Sequence, residues 1–411
     1  MPIKPSQVLA QLQAKQAAFH QFDQVTFQLL KQYRQAWRRW VAETANPESP
    51  VAGRWTGSSS TLADPPDRSP DLSAVWVEPL TTHREGILAA HLTWPNREAS
   101  RQWVEQQLSG VATFAVDGSQ IYPSRDLSIP IALVQIGWFE NHHLPQGSYS
   151  KDIAVEVMTP IDLQVSSSEP VDTPLASLRD RRVNLRRFEL ETRRLIEYIE
   201  AQAGSETCLV FFDGSLVATF AEPFEAEIRN QYVACLRQLL QASETCRVPL
   251  VGYVDTSYAR DLVGMLQRLY HLPEATAIHD AQLLNPLLKD RWGDRTPLFR
   301  CQRSEILQQY QDQHDRIGFT YLKTTQDGYP ARIELPLWLY EAGRLEQVMN
   351  WVRGEVIIGG GYPYAIETAD QVAVLQADDR QVFYRLLQDW ADQENLNLRL
   401  SRKMVSKVRR R

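Results

Sequence analysis

The sequence predicts an α/β fold, a mixed sheet flanked by helices with a helical extension at its N-terminus. Two apolar runs of strand character each take their first charge at the C-terminal end, in Phe114-Ala115-Val116-Asp117-Gly118-Ser119 and again in Phe211-Phe212-Asp213-Gly214-Ser215-Leu216. The second run, 208–212, is wholly apolar, as expected of a central strand covered on both faces. Three strand-like segments succeed one another through turn-rich connections before helices and strands begin to alternate, the order of a layered α/β sheet.

Residues 6–43 read as helix, with Leu9, Leu12, Phe19, Phe22, Phe27, Leu30, Tyr33 and Trp37 at mostly helical intervals. We take 1–45 as a helical arm, either packed or partner-binding. Proline, serine, glycine and aspartate dominate residues 46–72, which are expected to be a flexible linker or insertion. A helix is expected at 96–108. Strands at 111–116, 129–139 and 153–158 form an antiparallel meander. A long helix over 175–203 carries Leu185, Phe188, Leu195, Ile196 and Ile199 on one face. A fourth strand at 210–213, a helix at 224–242, a fifth strand at 249–254 and a helix at 259–269 continue the alternation. Segments 317–323 and 331–334 pair as strands, 345–352 is helical, and one or two helices over 368–395 end a folded body spanning 73–395. A basic tail, 396–411, completes the chain.

With 411 residues and 43% hydrophobic residues, the chain can build a sizeable core. The net charge of −6 argues against coating nucleic acid by bulk charge, so any such contact must be a local patch. Four cysteines without C-x-x-C spacing indicate neither a zinc site nor a disulfide framework. No signal-like start and no run of eighteen apolar residues is present, and a soluble cytoplasmic protein without membrane contact is expected.

In both copies of Asp-Gly-Ser, the glycine and serine are read as turning the backbone away, which leaves a carboxylate at a strand mouth. Asp-Gly is also the commonest turn dipeptide, yet the repetition favours one shared site. Two carboxylates at one crevice repel each other unless a cation lies between them. Three strands, a helix, a strand and then alternation is the order of a ribonuclease H-like sheet, whose carboxylates come from the first strand, the first long helix, the fourth strand and a late helix. Asp117 and Asp213 fill the strand positions. Glu189 and Glu191 flank the apolar face of the long helix equally. Glu191 is preferred because Leu195 and Ile199 come one and two turns after it, and Glu189 is the alternative. The late helix offers Asp370, near an expected helix start where N-capping competes as an explanation. The triple glycine 359–361 permits a close approach to another strand or to a phosphate, but lacks the G-x-x-x-x-G-K-[ST] pattern.

Asp117-Gly118-Ser119, Asp213-Gly214-Ser215-Leu216, Ala331-Arg332-Ile333-Glu334-Leu335-Pro336 and Gly361-Tyr362-Pro363-Tyr364-Ala365, in that order, give a chain that resembles the NurA family of nucleases over about 111–375. The resemblance implies a ribonuclease H-like fold, manganese-dependent cleavage of DNA, a homodimer, and work beside the hexameric HerA translocase in resecting double-strand breaks. Carried over by position, the site comprises Asp117, Glu191, Asp213 and Tyr362. Asp370 stands where many members have a histidine, which puts the preference for Mn²⁺ over Mg²⁺ in doubt. Asp255 lies in a segment where relatives often carry a lysine.

Asp117, Glu191, Asp213 and Asp370 are therefore expected to hold one or two divalent ions for hydrolysis of a phosphodiester. DNA contacts are expected from Arg182, Arg186 and Arg187 on the long helix and from Arg402 and Lys403 in the tail. Two other readings compete. A haloacid dehalogenase-like phosphatase would want an acid two positions after Asp213, where Ser215 stands. A catalytically weak or inactive adaptor docked on a motor ATPase is the alternative favoured by the changes at Asp255 and Asp370.

Overall fold

The computed structural model describes residues 3–45, 72–78, 84–164 and 175–399. In chain order these form α1 (Pro5–Ala14), α2 (Gln16–Ala45), β1 (Ala74–Trp76), α3 (Arg97–Leu108), β2 (Ala112–Ile121), β3 (Ala132–Asn141), β4 (Tyr149–Met158), α4 (Leu175–Ala201), β5 (Cys208–Asp213), α5 (Ala226–Cys246), β6 (Leu250–Val254), α6 (Asp261–Tyr270), β7 (Phe299–Cys301), β8 (Ile317–Leu322), β9 (Ala331–Pro336), α7 (Leu345–Ile358), α8 (Tyr364–Ala373) and α9 (Ala377–Gln393), with shorter helical turns between some of them. Residues 46–71 of the expected linker, and Arg402 and Lys403 of the expected tail, lie outside the described residues. Among the described residues no helix is long and apolar enough to cross a membrane.

The chain folds as two compact units. One gathers Met1–Thr93, Val254–Ser304 and Gly318–Ile333. Here β1 pairs antiparallel with β7, and β7 antiparallel with β8. The expected neighbours β8 and β9 lie side by side. The second half of α2 supplies the aromatic core: Trp37 and Trp40 lie 5.0 Å apart, Trp40 lies 5.8 Å from Phe299, and the Tyr33 hydroxyl donates to the Pro273 carbonyl at 2.6 Å. The apolar stripe read along 6–43 thus divides. Tyr33 and Trp37 are buried, whereas Leu9, Leu12, Phe19, Phe22 and Phe27 remain exposed. Arg332, from the Ala331–Pro336 strand, is buried here. Its guanidinium donates to Asp261 at 2.8 Å and lies over the Phe319 ring, 3.9 Å from its centroid. Arg303 closes on the same Asp261 carboxylate at 2.6 Å, so the buried charge is compensated from two sides.

The other unit comprises Trp94–Tyr253, Glu305–Ile317 and Glu334–Arg411. Helix α3 starts where Asn96 caps it, its side chain accepting from the Ala99 N–H at 2.9 Å. The strand order is β6-β5-β2-β3-β4. β2, β3 and β4 form the antiparallel meander, while β5 runs parallel to β2 and β6 parallel to β5. Parallel neighbours must be joined by crossovers, and α4 and α5 provide them. This is the ribonuclease H-like arrangement. Cys208, Leu209, Val210, Phe211 and Phe212 are all buried, because β5 lies between β2 and β6 with both faces covered. Helix α4 is fixed over the sheet by Tyr198 stacked on Phe114 at 3.8 Å and by Phe188 set edge-on to Phe212 at 5.8 Å. β4 ends the strand order and is exposed along nearly all of its length.

Two expectations about this unit need correction. β2 does not end at Asp117. It runs on to Ile121 because Gly118, Ser119, Gln120 and Ile121 continue the antiparallel ladder with β3. Asp370 is not near a helix start: it lies in the body of α8, whose N-cap position is Pro363. The N-capping explanation therefore falls away.

Candidate carboxylate site

The site forms where the parallel pairing of β2 and β5 stops. The last register pair is Val116↔Phe212, so Asp117 and Asp213 are the next residues on adjacent strands. After Asp213 the chain leaves the strand through Gly214, whose φ of 141° suits a residue without Cβ. Buried groups hold this turn. Glu334 on β9 accepts from the Ser215 hydroxyl at 2.9 Å and from the Leu216 N–H at 2.6 Å. Tyr310 accepts from the Ala218 N–H at 2.8 Å and donates to the Leu216 carbonyl at 3.1 Å. A Cβ on Gly252 of β6 would stand 2.8 Å from the Gly214 carbonyl oxygen, so a larger residue there would push the turn away.

Glu191 reaches the same place from α4. Successive strand residues face opposite sides of a sheet, and Gly118 presents its bare backbone to α4. A Cβ at Gly118 would collide with the Glu191 Oε1 and lie 2.7 Å from the Arg187 Cγ. The glycine of the first Asp-Gly-Ser therefore serves close packing rather than a turn. Glu191 is 7% exposed and lies against Arg187, whose Nη1 donates to its Oε1 at 2.9 Å and to the Gly118 carbonyl at 3.0 Å. The same Nη1 is 3.9 Å from Asp117 Oδ1. Glu189 points elsewhere: it pairs with Arg186 at 2.8 Å, and Arg186 also binds Glu156 through two bonds of 2.6 and 2.8 Å.

Asp370 arrives from the opposite face. Helix α8 is tied down at both ends over β2 and β3. At its start, Glu355 accepts from the Ala365 N–H at 2.8 Å and from Thr113 of β2 at 2.9 Å, and lies 3.0 Å from His143 Nε2. At its end, Gln135 of β3 donates to the Ala373 carbonyl at 3.0 Å, and Ser119 of β2 accepts from the Leu375 N–H at 3.2 Å. A Cβ on Gly137, the cross-strand partner of Asp117, would lie 2.6 Å from the Ala373 nitrogen, so only glycine lets the helix settle this low. These ties bring Asp370 beside Asp117, close enough to raise the Asp117 pKa. Burial opposes charge on His143, but Glu355 outweighs it and raises the imidazole pKa above its ordinary value.

Tyr362 completes the group, its hydroxyl donating to Asp213 Oδ1 at 2.8 Å with its ring edge-on to Tyr253 at 5.1 Å. The triple glycine makes this possible. A Cβ on Gly359 would run into the Tyr362 carbonyl oxygen, and Gly360 and Gly361 both have positive φ. The close approach read from the sequence is thus made to the loop's own backbone.

The electrostatics reflect the crowding of carboxylates where water is scarce. Burial, contact with Asp370 and the nearby Asp213 raise the Asp117 pKa to about 6, against an opposing pull from Arg187. Burial pushes Glu191 up to about 8, and Asp117 and Asp213 add to the rise while Arg187 works against it. Among the described residues no three His, Cys, Asp or Glu side chains already stand at metal-ligating spacing. The donor set nevertheless fits a hard divalent cation. It is all oxygen, and it carries more negative charge than Arg187 offsets.

Sequence reasoning missed Glu334, Tyr310, Glu355, His143 and Gly137, which touch no expected ligand ion but fix the residues that would. Of these only Glu334 lies in one of the motifs that carry the family resemblance. Asp255 is exposed and belongs to the other unit, and Arg182 is half-buried on α4.

No curated protein matches the chain. Among solved structures, a NurA crystallised with manganese is similar over 73% of this chain and 94% of its own, at 10% identity and a TM-score of 0.40. A NurA bound to dAMP and manganese is similar over 66% and 86%, also at 10% identity and a TM-score of 0.40. The catalytic domain of human endonuclease V is similar over 74% and 92%, at 13% identity and a TM-score of 0.30. The NurA domain family itself matches residues 111–375, which is more than half of the sequence, and the chain belongs to the NurA family.

Proposed function

We propose that this member of a nuclease family is a divalent-metal-dependent deoxyribonuclease. The observation that carries the reading is the meeting of Asp117, Glu191, Asp213 and Asp370, from two strands and two helices, at the end of the β2–β5 pairing. These four side chains would hold the ion. When bound, Mn²⁺ or Mg²⁺ supplies an acidified water and neutralises charge on the scissile phosphate. Tyr362 orients Asp213 through its hydroxyl, and Glu334 fixes the turn beyond it. Gly118 and Gly137 let the carboxylate-bearing helices approach the sheet. With Asp370 where many relatives have histidine, the donor set lacks an imidazole, which favours Mg²⁺ more than in those relatives.

The family resemblance further supports end resection of double-strand breaks beside a HerA-type ATPase, as a homodimer. Cleavage of plasmid and linear DNA by the full chain, with Mn²⁺, with Mg²⁺ and with chelator, tests the enzymatic reading. Cutting is expected with metal and not with chelator, and Asp117→Ala and Asp213→Ala are expected to abolish it. Cutting by either variant at the parental rate would remove the site. No cutting by the parental chain with either ion, alone or with the ATPase, would leave the adaptor reading.

A further inference from the structure

Arg187 is the cation found among these carboxylates, and its position is specific. One nitrogen, Nη1, serves Glu191 at 2.9 Å, the Gly118 carbonyl at 3.0 Å and Asp117 at 3.9 Å. It comes from the same helix as Glu191, one turn earlier, and its stem lies against Gly118. Its side chain is 29% exposed, so it has a route to solvent, whereas the Glu191 side chain is 9% exposed. Buried as it is, the Glu191 carboxyl takes up its negative charge readily only beside a compensating positive one. The neighbouring Arg186, by contrast, is bound to Glu156 and Glu189 and does not serve the cluster.

We propose that Arg187 is a resident counter-ion of the carboxylate cluster, competing with a divalent cation for Glu191 and Asp117 and giving them up when that cation binds. The inference rests on the metal-dependent reading of the site. It separates two roles that the contacts alone leave mixed. A scaffold that orients Glu191 would aid metal binding, whereas a competing positive charge opposes it. Replacing Arg187 with a neutral side chain of similar reach therefore has opposite consequences under the two roles.

The test is calorimetric titration of Mn²⁺ into the metal-free full-length protein and into Arg187→Gln, under one buffer and salt condition, with thermal unfolding of both in chelator. The variant is expected to bind Mn²⁺ roughly tenfold more tightly, the scale of one lost charge repulsion in a partly buried site. In chelator it is expected to unfold at lower temperature than the parent, so that Mn²⁺ raises its unfolding temperature by more. Equal or weaker Mn²⁺ binding by the variant overturns the counter-ion role. Binding by the variant where the parent binds none supports it. If neither protein binds Mn²⁺ with heat or with a shift in unfolding, the metal-dependent reading itself fails, and the counter-ion role falls with it.

Discussion

The Cα of Gly118 and the carboxylate of Glu191 are in direct contact across the face of β2, with no room for a side chain between them. Gly118→Ala would force Glu191 and the Arg187 stem outward while leaving the β2–β3 ladder intact. Displacement of a site group by about 1 Å can cost roughly 10²-fold in rate. Cleavage is expected to fall by about that factor, with far-ultraviolet circular dichroism unchanged. An alanine variant that cuts DNA at the parental rate would show that Glu191 takes no part.

Asp117 and Glu191 bind protons more readily in the folded chain than in the unfolded one, with pKa values of about 6 and about 8. A carboxyl raised on folding contributes stability below its unfolded pKa and loses it as pH rises through the folded value. In chelator the protein is therefore expected to lose stability as pH rises from about 4 to about 8. Asp117→Asn is expected to flatten the lower part of that fall. Thermal unfolding from pH 4 to pH 9 checks the sign, and identical slopes in the two proteins would mean that Asp117 is not a strained carboxylate.

Glu334 accepts two hydrogen bonds from the turn that carries Asp213. Glu334→Ala leaves two donors without that acceptor, at roughly 1–3 kcal/mol each, and releases the turn. Cleavage is expected to drop by about 10²-fold. Glu334→Gln keeps an acceptor oxygen and is expected to recover most of the rate. Single-turnover cleavage and chemical unfolding of both variants distinguish them, and a glutamine variant as inactive as the alanine variant would argue for a role of the charge instead.

Tyr362→Phe removes one donor to Asp213 and leaves the ring against Tyr253. The expected outcome is a small loss of stability, about 1 kcal/mol, and a fall in rate of about tenfold or less. A complete loss of cleavage with unchanged metal binding would give the hydroxyl a direct part in the chemistry.

Much of the fold was legible because hydrophobic periodicity writes it locally. The meander of β2, β3 and β4, the long helix α4 and the buried run of β5 all come from the spacing of apolar residues. The extent of β2 did not, because Asp-Gly-Ser has the composition of a turn whether or not a neighbouring strand pairs with it. Ladder bonds to β3 decided that, and they depend on residues far away in sequence. Start points shifted for similar local reasons. β3 begins at Ala132 rather than at residue 129, just past Pro130, which has no N–H to donate. Asp117 and Asp213 could be read as partners from repetition. Glu191 and Glu189 could not be told apart by angle, and only the glycine opposite Glu191 separates them. The charge of Arg187 suits a DNA contact or pairing with acids on its own helix, and in the fold it lies against Glu191 and Asp117. Glu355 and His143 left no local signature, since a buried acid and a buried histidine acquire meaning only from the groups folded around them.

The outermost strand of the meander has a practical consequence. Ile153, Val155 and Val157 project from one side of β4, and the strand ends the sheet order with its far backbone groups unclaimed by another strand of the sheet. Such a margin is a template on which any extended peptide can zip itself. Concentrated solutions of this protein are thus vulnerable to clumping along that border, and a lysine in place of Val155 would blunt it.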